Sequence, residues 1–209
     1  MTLIFLALLV GITVYVISTY NKLVGLRNQV WNAWKQIDVQ LKRRHDLIPN
    51  LVNTVKGAMQ FERETLDAVI QARNQAISVE RGGASVGQTA AAEAALSGAL
   101  GRLMAVVEAY PDLKATGNVA QLQEELTSTE NKIGFARQLY NDTATQYNST
   151  QQQFPANMVA GLAKATPAEL WEITDVAERA VPRVDLSMNP AKPADPSNPS
   201  KPWAAPRGG

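Results

Sequence analysis

From Thr2 to Tyr20 every side chain is apolar or uncharged, and from Leu23 onward apolar positions recur in steps of three and four. The opening run of roughly nineteen residues covers about 28 Å as a helix, close to the hydrocarbon thickness of a bilayer. Only a helix satisfies its own backbone amides across that distance. The stripe Leu23, Leu26, Val30, Ala33, Ile37 and Leu41 is one helical face at near-heptad spacing. The pattern predicts one helix that leaves a membrane and continues to about Ile48. Pro49 is expected to kink or break it. No other stretch is apolar for long enough to be read as a second span.

A second amphipathic segment carries Leu51, Val52, Val55, Met59, Leu66, Ile70, Ala76 and Ile77, and ends near Glu80. Arg81 to Gly87 reads as a loop. A third helix is expected from about Thr89 to Tyr110, with Pro111-Asp112 as a turn. Asn118 and Gln121 have capping-box spacing for a fourth. Its seam is Val119, Leu122, Leu126, Thr129, Ile133, Ala136, Tyr140, Thr143, Tyr147 and Thr150. A heptad pattern of that length implies lengthwise packing at shallow angles. Phe154-Pro155 ends it. Thr166-Pro167-Ala168-Glu169 reads as the start of a short helix with Leu170, Trp171, Ile173 and Val176, running to about Glu178.

These elements describe an all-α chain. A transmembrane helix (residues 1–20) continues into an elongated antiparallel helical bundle (21–186), followed by a Pro-rich extended tail (187–209). Pro190, Pro193, Pro196, Pro199 and Pro202 fall at every third residue, along one edge of a polyproline II helix. The tail is read as a spacer, or as a docking peptide with Trp203 as its anchor.

Composition narrows the function. With 20 basic and 19 acidic side chains the chain lacks the basic excess of a nucleic-acid surface. It has no cysteine, hence no disulfide, thiolate metal site or thiol nucleophile. The opening run has no basic start and a long apolar core, so it reads as a retained anchor, not a cleaved signal. Lys22, Arg27 and Lys35 follow the span. Basic residues mark the cytoplasmic side, so a short N-terminus outside and a cytoplasmic body are expected.

Little in the chain suggests catalysis, and neither a cofactor, a metal nor a small-molecule substrate is expected. His45 is the single histidine, and one imidazole without cysteine makes a poor zinc site. It has no nucleophile elbow nearby, so it reads as a polar contact between helices. Lys42-Arg43-Arg44 has two readings. One is a lipid-binding patch, which about 35 Å of helix between Tyr20 and Arg43 argues against. The other is a partner for acids such as Glu62, Glu124, Glu125 or Glu130. Tyr140-Asn141 and Tyr147-Asn148 lie seven apart. They either fill and link the seam or form a repeated contact surface between copies. Trp31 and Trp34 carry the same two readings.

At Asp46-Leu47-Ile48-Pro49-Asn50-Leu51-Val52 the chain resembles the LemA family of bacterial membrane-anchored helical proteins. The likeness continues through Gln40-Leu41-Lys42-Arg43-Arg44, Ala109-Tyr110-Pro111-Asp112-Leu113, Thr129-Glu130-Asn131-Lys132-Ile133, Tyr140-Asn141, Tyr147-Asn148 and Phe154-Pro155-Ala156-Asn157. It covers roughly Tyr20 to Val184. The resemblance implies a single-pass protein of the bacterial inner membrane with a cytoplasmic helical bundle, and no established catalytic residues to transfer. One branch of the family resembles magnetosome membrane proteins, and that role is not carried over.

The expected function is a non-enzymatic scaffold that self-assembles at the membrane. Its partners are the lipid bilayer and further copies of the chain. The alternative is an adaptor for another envelope protein, docking through the tail or through Trp171. The candidate interaction residues are Trp31, Trp34, Arg43, Arg44, Tyr140, Asn141, Tyr147, Asn148 and Trp171.

Overall fold

Helix α1 (Thr2–Lys56) carries both the apolar span and the stripe in one unbroken element of 55 residues, about 80 Å long. The computed structural model describes residues 1–57, 59, 62–110, 113 and 117–172. The Pro111-Asp112 turn, Ile173, Val176, the Pro-rich tail and Trp203 lie outside these. Four further helices follow: α2 (Arg63–Arg81), α3 (Val86–Glu108), α4 (Gly117–Gln152) and the short α5 (Ala156–Leu162). Among the described residues there is no strand. The chain is all-α, and α4 runs antiparallel along α1 as the heptads require.

Pro49 does not break α1. The helix runs on through it for a specific reason. Proline has no N–H to offer the carbonyl four residues back, which is that of His45. Arg73 of α2 donates its Nε–H to that carbonyl at 2.6 Å. The orphaned acceptor is satisfied from the neighbouring helix, and α1 continues to Lys56.

α2 and α3 form a hairpin that packs against the C-terminal half of α1. Ser85 starts α3 with a capping box. Its hydroxyl accepts from the Gln88 N–H, while its own N–H donates to Gln88 Oε1 at 3.0 Å. The sequence reading left Ser85 inside the loop and began the helix several residues late. α3 is apolar and long enough to cross a membrane by composition. Its Leu96, Ala99, Leu103 and Val107 are nevertheless buried in the core of the bundle.

The buried side chains form two clusters. The near core, next to the apolar span, joins Leu23 through Leu41 of α1 to Ile133, Ala136, Tyr140, Ala144 and Tyr147 of α4. The far core joins Ile48, Leu51, Val52 and Val55 to α2, to α3 and to Val119 and Leu126 of α4. Ala144 is buried where the seam predicted Thr143, whose hydroxyl turns back to the Leu139 carbonyl.

From Thr166 to Glu172 the chain is not helical. Residues 165–172 run without regular structure beside α4. The Asn148 amide donates to the Ala168 carbonyl and accepts from its N–H, both at 2.8 Å. Asn141 treats Trp171 the same way, at 2.9 and 2.8 Å. The backbone groups that a helix would pair internally are taken by side-chain amides. The geometry fits, because seven helical residues rise about 10.5 Å and three extended residues span about 10 Å.

Candidate functional site

The junction of the two cores is polar. Arg44 and His45 of α1 are buried there, 2% and 3% exposed, with Glu93 of α3, 3% exposed. A buried charge requires a partner and hydrogen bonds. Arg44 Nη2 donates to Glu93 Oε2. Arg44 Nη1 reaches Glu130 Oε2 of α4 at 2.6 Å and the Ser97 hydroxyl at 2.9 Å. Arg44 Nε has no partner among the described residues. His45 Nε2 meets Glu93 Oε1 at 2.8 Å, and Nδ1 lies 3.8 Å from Glu80 Oε2. With Arg73 on the His45 carbonyl, this knot ties α1, α2, α3 and α4 together.

Burial pushes the Glu93 carboxyl up, but the His45 hydrogen bond and the adjacent Arg44 and His45 outweigh it, so its pKa is lowered. Glu80 is raised, by burial first and then by its hydrogen bond and charge repulsion with Asp38. Asp38 is lowered: burial opposes ionisation, and hydrogen bonds from Lys35 and Glu80 overcome it. Chemically the knot is closed. His45 Nε2 is held by Glu93, and both side chains are buried away from solvent. Among the described residues no group of acids and imidazoles is arranged to hold a metal ion.

The near core is sealed by the 165–172 strap. Trp171 is buried against Trp34, ring centroids 5.9 Å apart, and Trp34 meets Tyr140 edge-on at 5.5 Å. The Tyr140 hydroxyl donates to the Glu169 carbonyl at 2.7 Å, and burial followed by the Glu169 charge raises its pKa. The Glu169 carboxylate accepts from the N–H groups of Val86 and Gly87, at 3.2 and 2.9 Å, at the positive end of the α3 dipole. A Cβ on Gly87 would lie 2.8 Å from that carboxylate, so a larger residue there would make the Glu169 side chain shift.

The candidate interaction residues therefore divide. Tyr140, Tyr147, Asn141, Asn148, Trp34 and Trp171 serve contacts within the chain, and Arg44 is enclosed. Of the two readings given for the Tyr-Asn pairs, filling and linking the seam describes these contacts. Arg43 is exposed and only 3.9 Å from Glu125, a weak pair. Trp31 is 60% exposed, with Lys35 over its ring. It lines a groove beside the strap with Trp34 and Pro167, while on another face Val39, Phe135 and Leu139 are exposed. The last three line a groove of about 530 Å³ between α1 and α4, flanked by Lys35 and Lys132.

Sequence reasoning missed Glu93, Arg73 and this outer row. A signal for Glu93 existed, since it is the only charge between Arg81 and Arg102 in an alanine-rich helix. Phe135 and Leu139 lie four apart but off the heptad seam, and such an off-seam pair marks a second face.

The LemA family profile matches residues 33–186. Over 187 residues the chain is 28% identical to Protein LemA of Metamycoplasma hominis, covering 88% of this chain and 81% of the relative. It is 25% identical over 175 residues to magnetosome protein MamQ 2 of Paramagnetospirillum magneticum. It is 24% identical over 174 residues to magnetosome protein MamQ of Magnetospirillum gryphiswaldense. Each of these two alignments covers 73% of this chain and 64% of the magnetosome protein. None of these names is that of an enzyme. Together with the apolar first helix they mark a membrane-associated helical protein. The chain belongs to the LemA family.

Proposed function

We propose that this chain is a non-enzymatic scaffold, anchored in the bacterial inner membrane with its body inside the cell, that acts by self-assembly. The observation that carries the reading is the exposed trio Val39, Phe135 and Leu139 along the α1–α4 groove, which belongs to neither core. Contiguous exposed apolar side chains mark a contact surface. Copies confined to one bilayer meet at raised effective concentration, so a modest interface suffices. The closed knot at Arg44 and His45 supports a structural role for the most polar part of the interior. The adaptor alternative would dock through the tail or through Trp171.

The chain lacks cysteine, so single cysteines report cleanly. With a single cysteine in place of Val39, a short bis-maleimide in intact membranes should yield cross-linked dimers. The same reagent on a cysteine at exposed Glu64 should not. Monomers alone from Val39→Cys would refute self-assembly through this row. Digestion of the body by protease outside intact cells would refute the orientation.

A further inference from the structure

Two stretches of at least twenty residues lack any Asp, Glu, Lys or Arg: Thr2–Asn21, which contains the apolar span, and Thr143–Ala163. The second is the last part of α4, the turn after it and α5. Solubility alone does not explain it. The rest of α4 carries Glu124, Glu125, Glu130, Lys132, Arg137 and Asp142.

The packing explains where this stretch lies. The Trp34–Tyr140 ring contact and the Arg44–Glu130 ion pair set one register between α1 and α4. Counted back along the antiparallel pair, Gln152 lies level with Lys22 and the turn at Phe154 lies level with Tyr20. α5 packs against both helices there. Among residues 2–20 Thr19 is the buried one, so the base of the bundle reaches the end of the span. At this level Phe154 is 81% exposed and Met158, one turn on, is 65% exposed. Ala156, Val159 and Ala160 turn inward. The outward side chains around the pair are neutral amides and hydroxyls: Ser149, Gln152, Gln153 and Asn157.

We infer that the α4–α5 corner is a second lipid contact, with Phe154 and Met158 set into the bilayer interface beside the exit of the span. This rests on the anchored reading proposed above. A charge held near hydrocarbon is costly, whereas neutral amides lie comfortably among headgroups, and an aromatic ring favours the interface. The contact fixes the tilt of the bundle on its stalk. A single helix leaving a bilayer leaves that angle free, and a second contact on another helix removes the freedom. The occupant is lipid because the corner continues the level of the span and the charge-free belt matches that level.

The test uses the full chain in phosphatidylethanolamine/phosphatidylglycerol vesicles, with one nitroxide-labelled cysteine at a time. Positions are Phe154→Cys, Met158→Cys, Val14→Cys within the span and Glu124→Cys on the charged part of α4. Collisions with oxygen and with a water-soluble nickel complex are compared by spin relaxation. Labels at 154 and 158 should favour oxygen, as at 14, and reverse the preference seen at 124. If 154 and 158 match 124 while 14 favours oxygen, the inference falls and the anchor stands. If they are shielded from both reagents, the corner faces protein and the inference falls. If 14 favours the nickel complex, the anchored reading itself is wrong. Both test sites are exposed, so circular dichroism and the thermal midpoint should match those of the unlabelled chain.

Discussion

The two cores solve the same problem differently. The far core is layered from four helices and filled with aliphatic side chains: Ile48, Leu51, Val55, Leu96, Leu103 and Val107. The near core is chiefly the seam of α1 and α4, where aromatic rings join the aliphatic residues, with Ala90 of α3 and Ala160 of α5 at its margin and a strap without helical structure along one side. Where several helices surround a core, backbone polar groups are satisfied within each helix. Where an extended segment closes it, side chains must supply the partners, and Asn141, Asn148 and Tyr140 do so. The lesson is that a repeated Tyr-Asn pair seven apart can be a ladder for another segment's backbone. The near core is also the side that leaves an apolar row uncovered.

Substitutions sharpen the contrast. The largest effect is expected at the knot between the cores. Glu93→Ala removes the buried partner of both Arg44 Nη2 and His45 Nε2, leaving Arg44 with Glu130 and Ser97, and should cost about 3–5 kcal/mol in urea unfolding of the full chain in detergent. Met at both Arg44 and Glu93 should recover much of that loss, since no buried charge is then left unpaired. The same carboxylate predicts an acid limb. Its folded pKa is below the unfolded value of about 4.3, so its contribution is present above that value. Stability should fall as pH drops through the folded pKa, and Glu93→Gln should flatten that limb.

In the far core, Leu103→Ala should cost about 2–5 kcal/mol and lower the single global transition. A purely local loosening of α3 would contradict the account of one interlocked core. In the near core, Asn148→Ala removes two hydrogen bonds to the strap, worth about 1–3 kcal/mol. Hydrogen exchange should quicken over residues 165–172 while the far core stays protected. If protection falls evenly across both cores, the strap is not an independent closure. Smallest of all, Phe135→Ser should change stability by no more than about 0.5 kcal/mol, because the ring is exposed. It should still reduce cross-linking between copies. Unchanged cross-linking would leave the near core without a partner on that face.

Periodicity alone was enough for the helical class, the anchor-to-rod continuity of α1 and the antiparallel α4 seam. Those features rest on side-chain spacing, which depends only on residues near in the chain. Composition alone pointed away from thiol, zinc and nucleic-acid chemistry. Three outcomes were decided by contacts between segments far apart. Pro49 stays helical because Arg73 answers the His45 carbonyl. Thr166 to Trp171 stays extended because two asparagines capture its backbone before a helix can. Arg44 is interior because Glu93, forty-nine residues away, neutralises it. Local propensity is worth tenths of a kcal/mol per residue, whereas an unanswered buried polar group costs several times more. The partner that answers it is set by the packing of whole helices, which no window of sequence contains.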